Sequence, residues 1–405
     1  MIFTGFSPNT TYKDVITLTS FLMPWKISSI KNGIYQDKLE QKLTTFFNAK
    51  KVVILDTGRS ALTQALLVGQ VKEGDEVVVQ AFTCVVVINA ILSVGAVPVF
   101  VDIDDNYCTN VNSVKKAITT KTKAIIVQHT FGFVTDLKKL CELKNIFIIE
   151  DCAHSLGAKQ HGKLAGTIGD VSILSFGTDK VISSVRGGAL VINKQKVLDV
   201  FETLTIKKRY RSTKDLLQHI VHIPIFWISK PLYSMYIGKI ILYISKKLEI
   251  INKTVTHKEK KNLITYTPYR LENILCNLAY NQFKILTIKN KIRSKQAKYY
   301  FDNLAKISSI SMPNFDAEAI YLRFAIEVDK PKKLIKYAKK RSIVLGDWYS
   351  SIIAPIDSNQ KQYNKKSCLH AEKSIKKIVN LPTGEYITKK HQDKIIATLK
   401  SYDKS

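Results

Sequence analysis

The sequence predicts an α/β protein whose core is a doubly wound, largely parallel β-sheet. Residues 146–149, Ile-Phe-Ile-Ile, are a continuous apolar, β-branched run of the kind buried on both faces of a parallel sheet, and the run ends in Glu150-Asp151. Strand-like runs alternate with helix-like stretches about every 20–30 residues, the rhythm of βαβ units. Polar groups also follow the strands: Asp102, Asp151 and Ser175 stand at strand ends. Ligands of open α/β sheets sit outside those carboxyl ends, so Asp151 lies where chemistry is done.

The elements follow in order. Residues 1–40 are mixed, with Lys31-Asn-Gly33 as a loop and an amphipathic helix from Asp37 into Phe46-Phe47. Val52–Leu55 is a buried strand. Asp56-Thr57-Gly58-Arg59-Ser60 is then a polar turn opening an apolar helix, and the free N–H groups and positive end of such a helix suit a phosphate. Glu76–Val79 is the next strand, and Gln80-Ala-Phe82-Thr83-Cys84 opens the helix behind it. Strands follow at Val97–Val101 and Lys123–His129, the latter leading to a helix predicted over 136–143. His129 ends a strand near the site and reads as structural. A strand over 171–176 delivers Ser175 and, after a short turn, Lys180; another, 189–192, follows Arg186-Gly187-Gly188. Further on, helices are predicted over 269–286, 290–304, 332–341 and 388–402, and strands over 319–328 and from Ile343. Arg323 and Trp348-Tyr349 could meet a substrate or pack.

A chain of 405 residues can bury a large core in two packed units, and 45% hydrophobic with 23% charged residues is globular composition. The outlier is charge: 62 Lys plus Arg against 33 Asp plus Glu give +29. Nucleic acid, anionic membranes and anionic metabolites all fit such a balance. Lysine is scattered through most of the chain, however, which reads as background composition, and no nucleic-acid partner is expected. The six cysteines show no Cys-x-x-Cys spacing, so no metal site is expected, and a reduced, cytoplasmic setting fits. The start, Met1-Ile-Phe-Thr-Gly-Phe, lacks the basic and apolar blocks of a signal peptide.

An acid at one strand end and a lysine after another can hold a pyridoxal phosphate (PLP) ring, with Lys180 as a Schiff base and Asp151 against the pyridine nitrogen. Here the chain resembles a known family. Glu-Asp-x-Ala-His-x-x-Gly-Ala at 150–158, Gly-x-x-Gly-Asp at 166–170, Ser-Phe-x-x-x-Lys at 175–180 and x-Gly-Gly-Ala at 186–189 are similar to the DegT/DnrJ/StrS sugar aminotransferases. The resemblance implies a fold-type-I PLP-dependent transferase: a mostly parallel seven-stranded sheet flanked by helices, with a smaller C-terminal α+β domain. It implies a homodimer that moves an amino group from an amino acid, glutamate by expectation, to a keto sugar linked to a nucleotide. Lys180 and Asp151 become the catalytic pair. The turn at Gly58-Arg59 and Ser175 become the phosphate grip, and His154 the contact on the cofactor's phenolic side. A sugar dehydratase of the same fold would carry His at Lys180. A non-catalytic binding protein on this scaffold would account for the charge, but Asp151, Ser175 and Lys180 are intact.

Three positions depart from the family pattern. Cys84 stands where an aromatic stacks on the cofactor ring, leaving either Phe82 or Cys84 to cover that face. Arg186 replaces a Glu, which implies a more acidic substrate or a salt bridge. Pro268 replaces an Asn that reaches the neighbouring subunit's cofactor phosphate. The domains expected are 1–204 for the cofactor, 205–262 as an insertion, 263–304 as a helical return and 305–405 as the small domain. Between 205 and 262 stand 13 Lys plus Arg against three acids, beginning with Lys207-Lys-Arg-Tyr-Arg211. Its apolar runs are broken by Lys230, Pro231 and Lys239, too short to span a bilayer. They read as interfacial helices on an anionic membrane or as a flap packed on protein.

Overall fold

Strands of the central sheet are β1 (Lys51–Leu55), β2 (Glu76–Gln80), β3 (Val97–Val101), β4 (Thr122–Gln128), β5 (Phe147–Asp151), β6 (Val171–Ser175) and β7 (Gly188–Ile192). They lie in the order β1-β7-β6-β5-β4-β2-β3. The computed structural model describes residues 1–4, 9–21, 23–204, 209–251, 255, 257–261, 267–355 and 362–403. From β6 across to β3 neighbours run parallel, while β7 is antiparallel to both β6 and β1. This is the mostly parallel, seven-stranded sheet expected.

The helices used below are α1 (Tyr35–Phe47), α2 (Gly58–Val68), α3 (Val85–Ser93), α4 (Thr213–Ser229), α5 (Ile237–Lys247) and α6 (Asn273–Lys284). Residues of α2 and α3 such as Leu62, Leu66 and Ile88 pack on Val79, Ile149 and Leu190 at one sheet face. On the other, Leu39 and Leu43 of α1 and Leu275 and Leu278 of α6 meet Ile54, Leu174 and Val191. Both faces are therefore apolar, which is why the strands read as unbroken hydrophobic runs. The smaller unit pairs Phe324–Glu327 antiparallel with Ile378–Leu381, and its helices Pro331–Lys340 and Lys389–Asp403 cover that pair. Ile2 and Phe3 pair with Ile343 and Val344, so the first residues of the chain join this unit rather than the large one.

Two local expectations change. Residues 136–143 form turns, not a helix: Leu140 donates to the Leu137 carbonyl and Leu143 to that of Leu140, and these bonds bury Leu137 and Leu140 against β4 and β5. The strand expected over 319–328 is confined to 324–327, because the N–H groups of Ile320 and Leu322 go to the carbonyls of Gly132 and Phe131 in a loop. Within 205–262, α4 and α5 form a helical hairpin through a turn at Pro231–Tyr233. Lys207 and Lys208 lie outside the described residues. Among the described residues no helix is long and apolar enough to cross a membrane.

Candidate active site

The carboxyl ends of the parallel strands meet the start of α2 at a close backbone approach. Thr57 bridges to Gly187, and a Cβ on Gly188 would stand 2.4 Å from the Gly58 nitrogen, so only glycine fits there. Thr57 caps α2 by accepting from the Ser60 N–H at 3.1 Å. Ser175, at the end of β6, faces Gly58: a Cβ added there would lie 3.0 Å from the Ser175 Cβ and 3.2 Å from its Oγ. Beside this close contact Thr57, Gly58 and Ser175 line a hollow that meets both a helix N-terminus and a hydroxyl, the environment that favours a phosphate.

That hollow opens into a cavity of about 950 Å³. All seven residues expected at the site, Gly58, Arg59, Cys84, Asp151, His154, Ser175 and Lys180, line it. Lys180 sits in the turn after β6, its N–H bonded to the Gly177 carbonyl. Its Nζ is 3.0 Å from His154 Nε2 and 5.4 Å from the centre of the Trp348 ring. Burial, then the charges of Lys180 and Arg323, hold His154 well below the ordinary imidazole range, so the ring is neutral at physiological pH and its Nε2 accepts from the amine. Asp151 accepts from the Ala153 N–H at 3.0 Å through Oδ1. Burial pushes its carboxyl up, and the Ala153 N–H with the charge of Lys180 offsets only part of that rise. A buried carboxylate in this state gains from a cationic partner, which a protonated ring nitrogen supplies.

Beneath the site, His129 is structural. It accepts from the Thr135 N–H at Nδ1 and therefore donates from Nε2 to Glu150 at 2.9 Å. Glu150 also takes N–H groups from Gly166, Ile168 and Gly169 at 2.7–2.8 Å. Burial raises the Glu150 carboxyl, but these bonds outweigh it and the net shift is downward. With the folded value below the unfolded one, this stabilisation is complete above about pH 4.5 and is lost as pH falls through the folded value. Glu150→Ala strands four buried donors and is expected to lower stability by about 3–5 kcal/mol, read by urea unfolding at pH 7.

The departures acquire a geometry. Phe82 is fully buried among Tyr107, Phe131 and Tyr349, so Cys84 borders the cavity instead. Burial keeps the Cys84 thiol above its ordinary value, hence protonated. Arg186 forms the salt bridge, 2.5 Å from Asp56, and Arg211 joins the same carboxylate at 2.7 Å. Arg59 pairs with Glu259 at 2.7 Å, which ties the cavity wall to the stretch read as an insertion. The Tyr269 carbonyl, beside Pro268, accepts from the Asp56 N–H, its own N–H donates to Asp56 Oδ1, and its ring lies under Arg211. Trp348 and Tyr349 line the cavity in a stack with His154, and Arg323 covers the Trp348 face at 3.7 Å while pairing with Asp179. Sequence reasoning missed Arg211, Asp215, His219, His222 and Glu259 as cavity residues. The one signal was the i, i+3 spacing of His219 and His222, which puts both on one face of a helix.

Among proteins of known function, the chain is 37% identical to the GDP-perosamine synthase of Escherichia coli O157:H7 over 198 residues, 48% of this chain and 54% of that enzyme. It is 37% identical to the UDP-N-acetyl-3-dehydro-alpha-D-glucosamine 3-aminotransferase of Acidithiobacillus ferrooxidans over 147 residues, 35% and 40% of the two chains. The chain thus matches about half the length of these relatives or less. Its fold is shared with DesV of S. venezuelae, solved in complex with a ketimine intermediate: TM-score 0.76, 20% identity, 97% of this chain and 95% of that one. The PLP-form of the sugar aminotransferase Spr1654 from Streptococcus pneumoniae gives the same TM-score at 20% identity, covering 98% and 97%. The model of the DegT/DnrJ/EryC1/StrS aminotransferase family matches residues 25–225 and 243–400, leaving only 226–242 of the α4–α5 hairpin outside it. The chain belongs to the DegT/DnrJ/EryC1/StrS aminotransferase family.

Proposed function

We propose that the protein is a PLP-dependent aminotransferase that moves an amino group from glutamate to a keto sugar carried on a nucleotide. The observation that carries this is the meeting of the Lys180 amine, the neutral His154 and the buried Asp151 in one cavity that Gly58 and Ser175 also line. Bound there, PLP supplies an electron sink conjugated to the reacting carbon. Asp151 would keep the ring nitrogen protonated, His154 and Lys180 would hold the phenolic edge, and Gly58, Ser175 and the N-terminus of α2 would hold the phosphate. Arg59 adds a cation at that end, and Cys84 borders the ring. With that group bound, Lys180 Nζ would be the amine placed to move a proton at the substrate carbon. An amine at this position favours transamination over dehydration.

The test is purified protein with glutamate, or glutamine as a second donor, and a panel of 3-keto and 4-keto nucleotide sugars. The expected result is an amino sugar from one acceptor and conversion of the cofactor spectrum by the donor alone; a cofactor that no amino acid converts would overturn the reading. A cytoplasmic homodimer is part of the proposal, supported by six free thiols and the family resemblance. So is contact with an anionic membrane. Tyr236, Ile237, Ile240, Tyr243, Ile244 and Leu248 form an exposed stripe along α5, beside Lys239, Lys246 and Lys247. Vesicles of phosphatidylglycerol should sediment the wild type and leave Ile240→Ser/Tyr243→Ser/Ile244→Ser in solution, whereas equal recovery ends that part.

A further inference from the structure

The wall of the cavity made by α4 has no task in holding the cofactor, yet it is polar. Arg211, just before α4, and His219 and His222 on it line the cavity. Arg211 gives only its Nε to Asp56, and its terminal nitrogens have no hydrogen-bond partner among the described residues. His222 is 6% exposed, stacks on Phe226 with ring centres 4.6 Å apart, and has a buried Nδ1 without a partner. A neutral imidazole can carry its proton on either nitrogen, and an anion in the cavity selects the tautomer with the proton on Nε2, which makes the ring a donor. Burial, then His219 and Lys246, holds His222 down to about 3. Burial, then Arg186 and Arg211 among others, holds His219 to about 4. Both rings are neutral, and Arg186, Arg211, His219 and His222 all line this one cavity. Asp215, half-buried in the first turn of α4, and Asp56, shared by Arg186 and Arg211, oppose an anion there, and the donors left to meet one are the terminal nitrogens of Arg211.

We propose that this part of the cavity wall is a pyrophosphate subsite: a sugar-linked diphosphate lies against α4, its oxygens taken by the terminal nitrogens of Arg211 and the Nε2–H of His222. Guanidinium and imidazole donors suit phosphate oxygens. The inference rests on the aminotransferase reading and names the handle by which the acceptor is held. A nucleoside diphosphate and a prenyl diphosphate share that handle.

Calorimetric titration of the PLP-loaded protein with UDP, GDP and geranyl diphosphate tests it. Arg211→Ala is expected to weaken binding roughly ten- to a hundredfold and His222→Ala roughly tenfold, with the cofactor absorbance unchanged. His222→Asn, which fits the same space and restores a donor, should keep most of the affinity and covers a misfolded His222→Ala. Exposed Lys247→Ala should bind as wild type. Binding of the nucleotides alone assigns a nucleotide-linked acceptor, and of geranyl diphosphate alone a lipid-linked one; either supports the subsite. Variants that bind as tightly as wild type overturn it, as does an Arg211→Ala that loses cofactor but not diphosphate. A wild type that ignores all three ligands but is converted by glutamate also overturns it, while the aminotransferase reading stands. If glutamate converts nothing either, that reading falls first.

Discussion

Lys180→Ala should fold normally, lack the yellow absorbance of the PLP-loaded enzyme, and transaminate at least about 10³-fold more slowly. Folding is spared because Lys180 is only half-buried and sits in a turn held by its own N–H to the Gly177 carbonyl. What disappears is the amine 3.0 Å from His154. Lys260 also lines the cavity, but it belongs to the segment that carries Glu259, beside Arg59 and the phosphate end. It is not expected to substitute. Lys180→Arg separates charge from nucleophilicity: it keeps a cation over Trp348, yet a guanidinium does not form the covalent link, and the band should still be missing. A variant of either kind that retains absorbance and turnover would place the chemistry on another residue.

Asp151→Asn carries the second large effect. The amide is isosteric and still accepts the Ala153 N–H, so the loop after β5 persists. It no longer favours a protonated ring nitrogen, and kcat should fall by about 10²–10⁴ with a smaller change in KM. Stability moves the other way. Because the folded carboxyl titrates above its unfolded value, its charge is a cost at neutral pH in the cofactor-free protein, and that cost fades as pH falls through the folded value. Asp151→Asn should therefore raise the urea midpoint of the cofactor-free protein at pH 7 while lowering activity. A fall in both would point to a purely structural Asp151.

Much of the fold was legible because both sheet faces are buried. The runs at 52–55, 76–79, 97–101, 146–149 and 171–175 could be read as strands without knowing their neighbours. The turns at 136–143 were not, since Leu137 and Leu140 have helical spacing and only the packing against β4 and β5 shows which bonds close. The same limit applies at Cys84. Sequence leaves Phe82 and Cys84 as equal candidates, and the choice follows from an aromatic cluster assembled from four separate segments around Phe82, Tyr107, Phe131 and Tyr349.

The chain alone determined the sheet, the family pattern and the seven residues that converge on one cavity, since strand ends and helix starts impose local rules that neighbouring residues obey. Tertiary structure decided what faces them: Arg211, His219, His222 and Glu259 arrive from a segment whose one local signal is the i, i+3 spacing of the two histidines. It also set Asp56 as the common anchor of Arg186 and Arg211. Such contacts join residues 130–200 positions apart, and a charge at that separation finds its partner only once the backbone has closed the loop between them.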